Sequence, residues 1–271
     1  MQSFYGELRM SRSSYLRRGI HFVKGVCKKV LSLAKGRQSR VVRKENRFLE
    51  KLYQDLFTNP EIRRRVEYVL TFNESDPRLG EVLARDERAL PGNENFQKNG
   101  WYKTMLTRYA WAAHSAQDKR VLDTCSGLGW GAYLVDTVAN HVICVDRDLG
   151  AMRVAKRIWA SSCCEGSCGS VLKLPFRNDV FDVVLAMESL EHFSLEDAGR
   201  YVSEMYRVLK PGGCLLGSTP LPLTEEGKRK ELAMNPYHLY VFTPAELSEF
   251  LRQTFPHVHV FYNNRFFCAN K

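Results

Sequence analysis

The sequence predicts an α/β fold: a doubly wound, mostly parallel sheet of about seven strands with an antiparallel edge hairpin, preceded by a basic helical N-terminal segment. Three observations predict it. Lys119 to Asp146 reads as an apolar strand, a tight loop of small residues, a helix, and a second apolar strand ending on an acid, which is a βαβ unit. Strand and helix patterns keep alternating after it. The C-terminal residues then read as two short strands around Asn263-Asn264.

Taken in order, residues 13–35 place Leu16, Ile20, Val23, Cys27, Val30, Leu31 and Ala34 at spacings of three and four. That is one apolar helical stripe, with Arg17, Arg18, Lys24, Lys28, Lys29 and Lys35 on the other faces. A second helix is expected over 44–57. A third opens at Asn59-Pro60-Glu61, with Pro in the first turn, and runs to about Leu70. Residues 71–80 and 91–100 read as loops. Trp101 to Ala113 is the helix that leads into the first strand.

The first strand is expected at 119–124, its helix at 129–139, the second strand at 141–146 and its helix at 148–161. A short third strand covers about 168–172, and Phe181 to Met187 is the fourth. Ser194-Leu195-Glu196-Asp197 opens a helix ending near Leu209, stopped by Lys210-Pro211-Gly212-Gly213 before a fifth strand from Cys214 to Ser218. Thr219 to Phe242 reads as a long irregular segment, and loops of that length are often functional. Thr243-Pro244-Ala245-Glu246 is a capping box that opens a helix to about Phe255. The expected division is 1–85, a basic helical extension, and 86–271, the sheet domain.

The net charge of +10 is concentrated. Residues 1–70 hold 17 Lys/Arg and 6 Asp/Glu, a net +11 that leaves −1 for the rest. The basic helix at 13–35 is therefore expected either to pack on the domain or to lie on an anionic membrane surface. No uncharged run exceeds 14 residues, too short for a spanning helix of about 20. Residues 1–20 lack the apolar core of a secretory signal, while the acid-poor first 44 residues also fit an organellar transit segment. Eight cysteines without a CxxC pair suit a reducing, cytoplasmic setting, and no metal site is expected from them.

Gly127-x-Gly129-x-x-Ala132 matches the dinucleotide fingerprint. Two features weigh against a dinucleotide. Asp123 and Thr124 close the strand, and Cys125 and Ser126 stand before the first glycine, whereas a dinucleotide loop turns on glycine directly after an apolar strand.

Val121-Leu122-Asp123-Thr124-Cys125-Ser126-Gly127-Leu128-Gly129 resembles the first motif of class I S-adenosylmethionine-dependent methyltransferases, which have a Rossmann-like fold. Leu174-Pro175-Phe176-Arg177-Asn178-Asp179-Val180-Phe181-Asp182, Leu190-Glu191-His192, and Glu204 through Gly213 resemble later segments of that family. The resemblance covers the sheet domain and not residues 1–85. It implies S-adenosyl-L-methionine as cofactor. Asp123, Cys125, Ser126, Gly127 and Gly129 are expected to bring backbone N–H groups and small side chains against it. Asp146 is expected to accept the ribose hydroxyls, with Arg147 beside it. Ser170, Val171 and Leu172 are expected at the adenine, and Met187 and Glu188 at the end of the fourth strand. Cys125 stands where the family commonly has glycine, and Ser170 where it often has an acid.

His238, in Asn235-Pro236-Tyr237-His238, and His192 are the candidate catalytic residues, as base or acceptor contact. Glu87-Arg88-Ala89-Leu90-Pro91-Gly92, Arg108-Tyr109-Ala110, and Phe242-Thr243-Pro244-Ala245-Glu246-Leu247 resemble small-molecule methyltransferases of bacterial cell-surface glycan pathways. Glu87, Arg88 and Tyr109 are expected either to close over the ligands or to pack within the chain. The expected acceptor is a small-molecule hydroxyl on a saccharide or lipid-linked compound, modified in the cytoplasm at the inner membrane face. Nucleic acid is not the expected partner, because the basic segment lacks aromatic interleaving. The rival readings are an RNA methyltransferase that uses the basic segment, a non-catalytic cofactor-binding scaffold, and an NAD enzyme.

Overall fold

The computed structural model describes residues 51, 54, 58–73, 75–79, 89–159, 165–261 and 265–271. The basic stripe at 13–35, all of the helix expected at 44–57 except Lys51 and Gln54, Glu87, Arg88, Cys163 and Cys164 lie outside the described residues, and with them the membrane-surface expectation. No helix among the described residues is long and apolar enough to cross a membrane.

The sheet has seven strands: β1 (Arg120–Thr124), β2 (His141–Asp146), β3 (Ser167–Cys168), β4 (Phe181–Met187), β5 (Leu209–Ser218), β6 (His257–Phe261) and β7 (Phe266–Asn270). Their spatial order is 3-2-1-4-5-7-6. β1 to β5 are parallel, and β7 is antiparallel to both β5 and β6, which is the expected edge hairpin. The order reverses at β1, so the crevice at the carboxyl ends of β1 and β4 is the topological switch point. β1 and β4 are buried along most of their length because helices cover both faces.

The helices are α1 (Pro60–Val69), α2 (Glu94–Asn99), α3 (Trp101–Ser115), α4 (Trp130–Val135), α5 (Leu149–Ile158), α6 (Leu195–Val208), α7 (Glu225–Met234) and α8 (Pro244–Arg252). Asn59 caps α1, accepting from the backbone N–H groups of Glu61 and Ile62, with Pro60 in the first turn. α8 carries the full capping box between Thr243 and Glu246.

Lys51–Lys271 form one compact unit. The Arg65 guanidinium donates to the Tyr133 carbonyl at 2.5 Å and pairs with Asp136 at 3.1 Å. Tyr68 and Phe72 meet Trp159 edge-on, at ring centroids of 5.9 and 5.0 Å. α1 is thus fastened to α4 and α5.

Some element boundaries shift. α2 occupies part of the loop expected at 91–100, and α7 occupies the middle of the segment expected to be irregular. Neither helix buries a residue, so neither shows the apolar stripe by which a helix is read; their caps, Asn93 and Thr224, start them instead. α6 ends at Val208, and β5 begins at Leu209. The chain runs through Pro211-Gly212-Gly213 within the strand, with a register shift between Phe181↔Leu209 and Val183↔Cys214. β3 is only two residues long, so Ser170 lies in the loop beyond it rather than on the strand.

Candidate functional site

The loop after β1 is held in place by its own backbone and by β2. The Ser126 N–H donates to the Val145 carbonyl at 3.2 Å. The Gly127 N–H donates to Asp146 Oδ2 at 2.8 Å, while the Asp148 N–H donates to Asp146 Oδ1 at 2.9 Å. Asp146 therefore closes the loop after β1 onto the end of β2. Gly127 has φ of +53° and open space where a side chain would project. Gly129, at φ +74°, turns the chain into α4. Below the loop, the Trp159 indole donates to the Leu128 carbonyl at 2.6 Å.

Cys125 does not have ordinary backbone angles. Its φ is +51°, in the left-handed region where an L side chain is strained by about 1–2 kcal/mol. Glu188, at the end of β4, has φ of +46°. Two strained non-glycine residues thus flank the crevice, on the loops that leave β1 and β4.

Asp123 is fully buried at the end of β1. The Tyr109 hydroxyl reaches its Oδ2 at 3.5 Å, and its Oδ1 has no hydrogen-bond partner among the described residues. Burial pushes its carboxyl pKa up to about 8; the Tyr109 hydroxyl opposes that rise and the charge of Asp146 adds to it. Tyr109, expected either to cover the ligands or to pack internally, is buried beneath Asp123. Its ring lies against Trp130 at 4.7 Å and fills the space over Gly131, where a Cβ would come within 1.9 Å of the ring. Ser126 Oγ is also buried without a partner among the described residues.

A hydroxyl chain links β1 to β4. Thr124 Oγ1 donates to the Leu185 carbonyl and lies 2.5 Å from the Tyr201 hydroxyl, which is 3.1 Å from Ser189 Oγ. Met187 is buried, and its sulfur accepts from Ser218 Oγ at 3.7 Å. The Glu188 N–H donates to the Ser218 carbonyl at 2.8 Å. Arg108 of α3 is buried, with Nη2 3.0 Å from Glu188 Oε2, yet its Nε and Nη2 make no aligned hydrogen bond among the described residues. The sequence carries one signal for Arg108: it is the single charged residue between Lys103 and Asp118, in a helix whose other residues from Met105 to Ala113 are mostly apolar.

The two candidate histidines come together although 46 positions separate them. His192 lies on a short 3₁₀ turn, Leu190–His192, just past β4, and His238 lies between α7 and α8. Their rings are 5.4 Å apart at an interplanar angle of 71°. Glu191 is buried beside them and accepts from Thr219 Oγ1 at 2.9 Å. Burial, and next the charge of Glu188, raise the Glu191 carboxyl well above its usual range. The Glu191 carbonyl accepts from Leu239 N–H at 2.7 Å, which draws the segment after α7 onto the end of β4.

The adenine-side residues are less convergent. Val171 is buried and Leu172 packs against the core, whereas Ser170 is exposed and its Oγ accepts from Leu172 N–H at 3.2 Å. Arg147 is exposed, and its carbonyl lies 3.4 Å from the Cys168 thiol.

Comparison with known proteins agrees with this geometry. Residues 122–217 match the family model of a methyltransferase domain. The chain is 33% identical over 165 residues to a probable S-adenosylmethionine-dependent methyltransferase of Mycolicibacterium smegmatis, covering 61% of this chain and 62% of that one. It is 31% identical over 165 residues to another of Mycobacterium tuberculosis, covering 61% and 58%. Residues 122–217 thus form a methyltransferase domain, and the chain is similar to S-adenosylmethionine-dependent methyltransferases of class I. The chain spans about three fifths of the length of these curated relatives. Solved structures share the methyltransferase fold. A proposed O-methyltransferase from Nostoc punctiforme has a TM-score of 0.54 at 19% identity over 65% of this chain and 59% of that one. A proposed methyltransferase from Bacillus halodurans has 0.51 at 22% identity, over 57% and 71%.

S-adenosylmethionine, the cofactor of the family, fits the residues present. Its ribose diol needs an acceptor pair, its ammonium an acid and its carboxylate a donor. Asp146 offers the first and the unpartnered Asp123 Oδ1 the second; the Ser126 hydroxyl and the Arg108 guanidinium offer the third. The open face of Gly127 lets the ligand approach the backbone.

Proposed function

We propose that the protein transfers a methyl group from S-adenosylmethionine to a hydroxyl of a small saccharide or lipid-linked acceptor. The observation that carries this reading is the approach of two imidazoles just past β4, the strand that pairs with β1 at the switch point. The bound cofactor supplies a methyl group on a sulfonium, activated for in-line displacement. What the protein must add is position, and removal of a proton if the acceptor is a hydroxyl.

Asp146, Gly127, Gly129 and Ser126 would hold the ribose and the methionine end, and Asp123 would face the ammonium. Val171, Leu172 and Met187 would line the apolar side, with Ser170 and Arg147 at its rim and Cys125 in the loop wall. Glu188 is locked by Ser218 and Arg108, so it holds the edge of the crevice rather than moving a proton. His192 Nδ1 lies 3.1 Å from the Tyr237 carbonyl, so that nitrogen donates and leaves Nε2 as the basic one. His238 is the residue that would take the hydroxyl proton or orient the oxygen.

An apolar acceptor is supported by the segment that brings His238 in. Leu223, Met234, Tyr237 and Leu239 are all exposed there, from 49% for Tyr237 to 81% for Met234. The test is transfer of labelled methyl from S-adenosylmethionine into fractionated cell material. Label in lipid or polysaccharide is expected. Label confined to RNA, or transfer to an amine, would overturn the acceptor assignment, and no transfer to any fraction would favour a scaffold.

A further inference from the structure

The geometry around the two histidines points to a second ligand. We propose that Glu191, His192 and His238 form a site for a divalent transition cation of the zinc type. One ligand atom from each of the three residues can be chosen so that all lie within 4.8 Å of one another. Two imidazole nitrogens and one carboxylate oxygen make a three-sided donor set that leaves positions open on the ion. The nitrogen donors select a transition ion over magnesium or calcium, which prefer oxygen.

Two further contacts fit such a site, and a third must give way to it. The His192 Nδ1–H is spent on the Tyr237 carbonyl at 3.1 Å, the outer-shell bond that fixes a metal-binding imidazole and leaves Nε2 to the ion. His238 Nε2 meets the Asn235 side-chain amide at 2.9 Å, and the amide oxygen of Asn235 is held by the Tyr237 N–H at 3.0 Å. The amide nitrogen therefore faces the ring and donates to Nε2, so an ion taken up at Nε2 displaces that amide. The Glu191 carboxylate is fixed by Thr219 Oγ1, and its backbone carbonyl receives both Leu239 N–H and Tyr240 N–H, at 2.7 and 3.3 Å. The two chain segments that supply the ligands are thus tied together independently of any ion. The rings sit nearly edge to face, so neither is occupied by stacking on the other.

The cation would take the acceptor oxygen on an open position and acidify its hydroxyl, a role that replaces proton removal by a free His238 imidazole. That role rests on the proposed methyl transfer to a hydroxyl; the metal site itself does not. Its test therefore uses no acceptor. The full chain is stripped with chelator and titrated with Zn(II), then with Co(II) followed by visible absorption. One equivalent per chain is expected, with Co(II) bands of mixed nitrogen and oxygen ligation and no sulfur charge-transfer band. His192→Ala and His238→Ala should each weaken Zn(II) at least about 100-fold while leaving S-adenosylmethionine affinity within about twofold. The retained cofactor affinity shows that the variants are folded. Absence of stoichiometric binding in the wild type, or binding that survives the double substitution or shows a sulfur band, would overturn the proposal. Failure of methyl transfer alongside intact metal binding would instead count against the acceptor reading alone.

Discussion

The two sides of the crevice are built differently. On the cofactor side, Asp123 to Asp146 form one continuous βαβ stretch, and the bond from Gly127 to Asp146 closes over 19 positions. On the side of the two histidines, Glu188, Glu191, Thr219 and His238 come from a strand end, a 3₁₀ turn, a strand exit and the connection between α7 and α8. A cofactor shared by a whole family can be held by a local unit. An acceptor is met by segments that only the folded sheet brings together, which frees them to vary. The comparison predicts that substitutions on one side leave the other side's readout unchanged.

The largest effect breaks the shared foundation instead. Gly131→Ala drives a methyl group into the Tyr109 ring and should cost about 3 kcal/mol of stability in urea unfolding, with loss at both sides. Gly127→Ala meets no neighbour and should cost only about 1 kcal/mol, the left-handed φ penalty, while still blocking the cofactor. Equal destabilisation by the two would mean that Tyr109 is not packed as described.

Next comes the separation of the sides. His238→Ala should lower turnover with the acceptor by about 10²–10⁴-fold, the usual range for an acid–base residue, with the calorimetric Kd for S-adenosylmethionine unchanged. A parallel loss of cofactor affinity would merge the two sides.

The cofactor side also carries a pH dependence. Asp123 keeps its proton in the folded state up to about pH 8, whereas unfolded aspartate releases it near its ordinary value of 3.8. Between those limits the folded state binds more protons, so stability falls as pH rises and levels off above about 8. The slope is up to about 1.4 kcal/mol per unit. Asp123→Asn should flatten that fall in urea midpoints measured from pH 5 to 8. A bound ammonium favours the ionised acid, so cofactor binding near pH 7 should release protons, seen as buffer-dependent heats in calorimetry.

The smallest effect concerns the strained loop. Cys125→Val should cost about 1 kcal/mol more than Cys125→Gly, because a β-branched side chain tolerates φ of +51° poorly. The reverse order would place the strain elsewhere.

The same contrast explains what could be read from the chain alone. β1, β2 and β4 were legible because buried parallel strands are short apolar runs, and the capping box of α8 is a local signature. α2 and α7 were not, because a helix that buries nothing has no stripe. The passage of β5 through Pro211 and two glycines was hidden for the opposite reason: turn residues here make a bulge, with Gly212 at φ +77°. Asp146 could be placed by spacing, and the structure gives its carboxylate the loop N–H. The strand expected at Ser170 stops at Cys168, and no side-chain pattern announces the left-handed φ of Cys125, since backbone conformation in a loop follows from its anchors. His192 and His238 could be named from sequence, but their approach, and Arg108 against Glu188, depend on contacts 46 and 80 positions apart.

The central claim is that the loop after β1 and Asp146 hold S-adenosylmethionine. Isothermal titration of the full chain with S-adenosylmethionine, for the wild type and Asp146→Ala, tests it most directly, with thermal unfolding run alongside. The account predicts one site in the wild type and a loss of affinity of at least about 100-fold in the variant, roughly the worth of a pair of charged hydrogen bonds, with the fold retained. Wild-type affinity in a folded Asp146→Ala variant would contradict it.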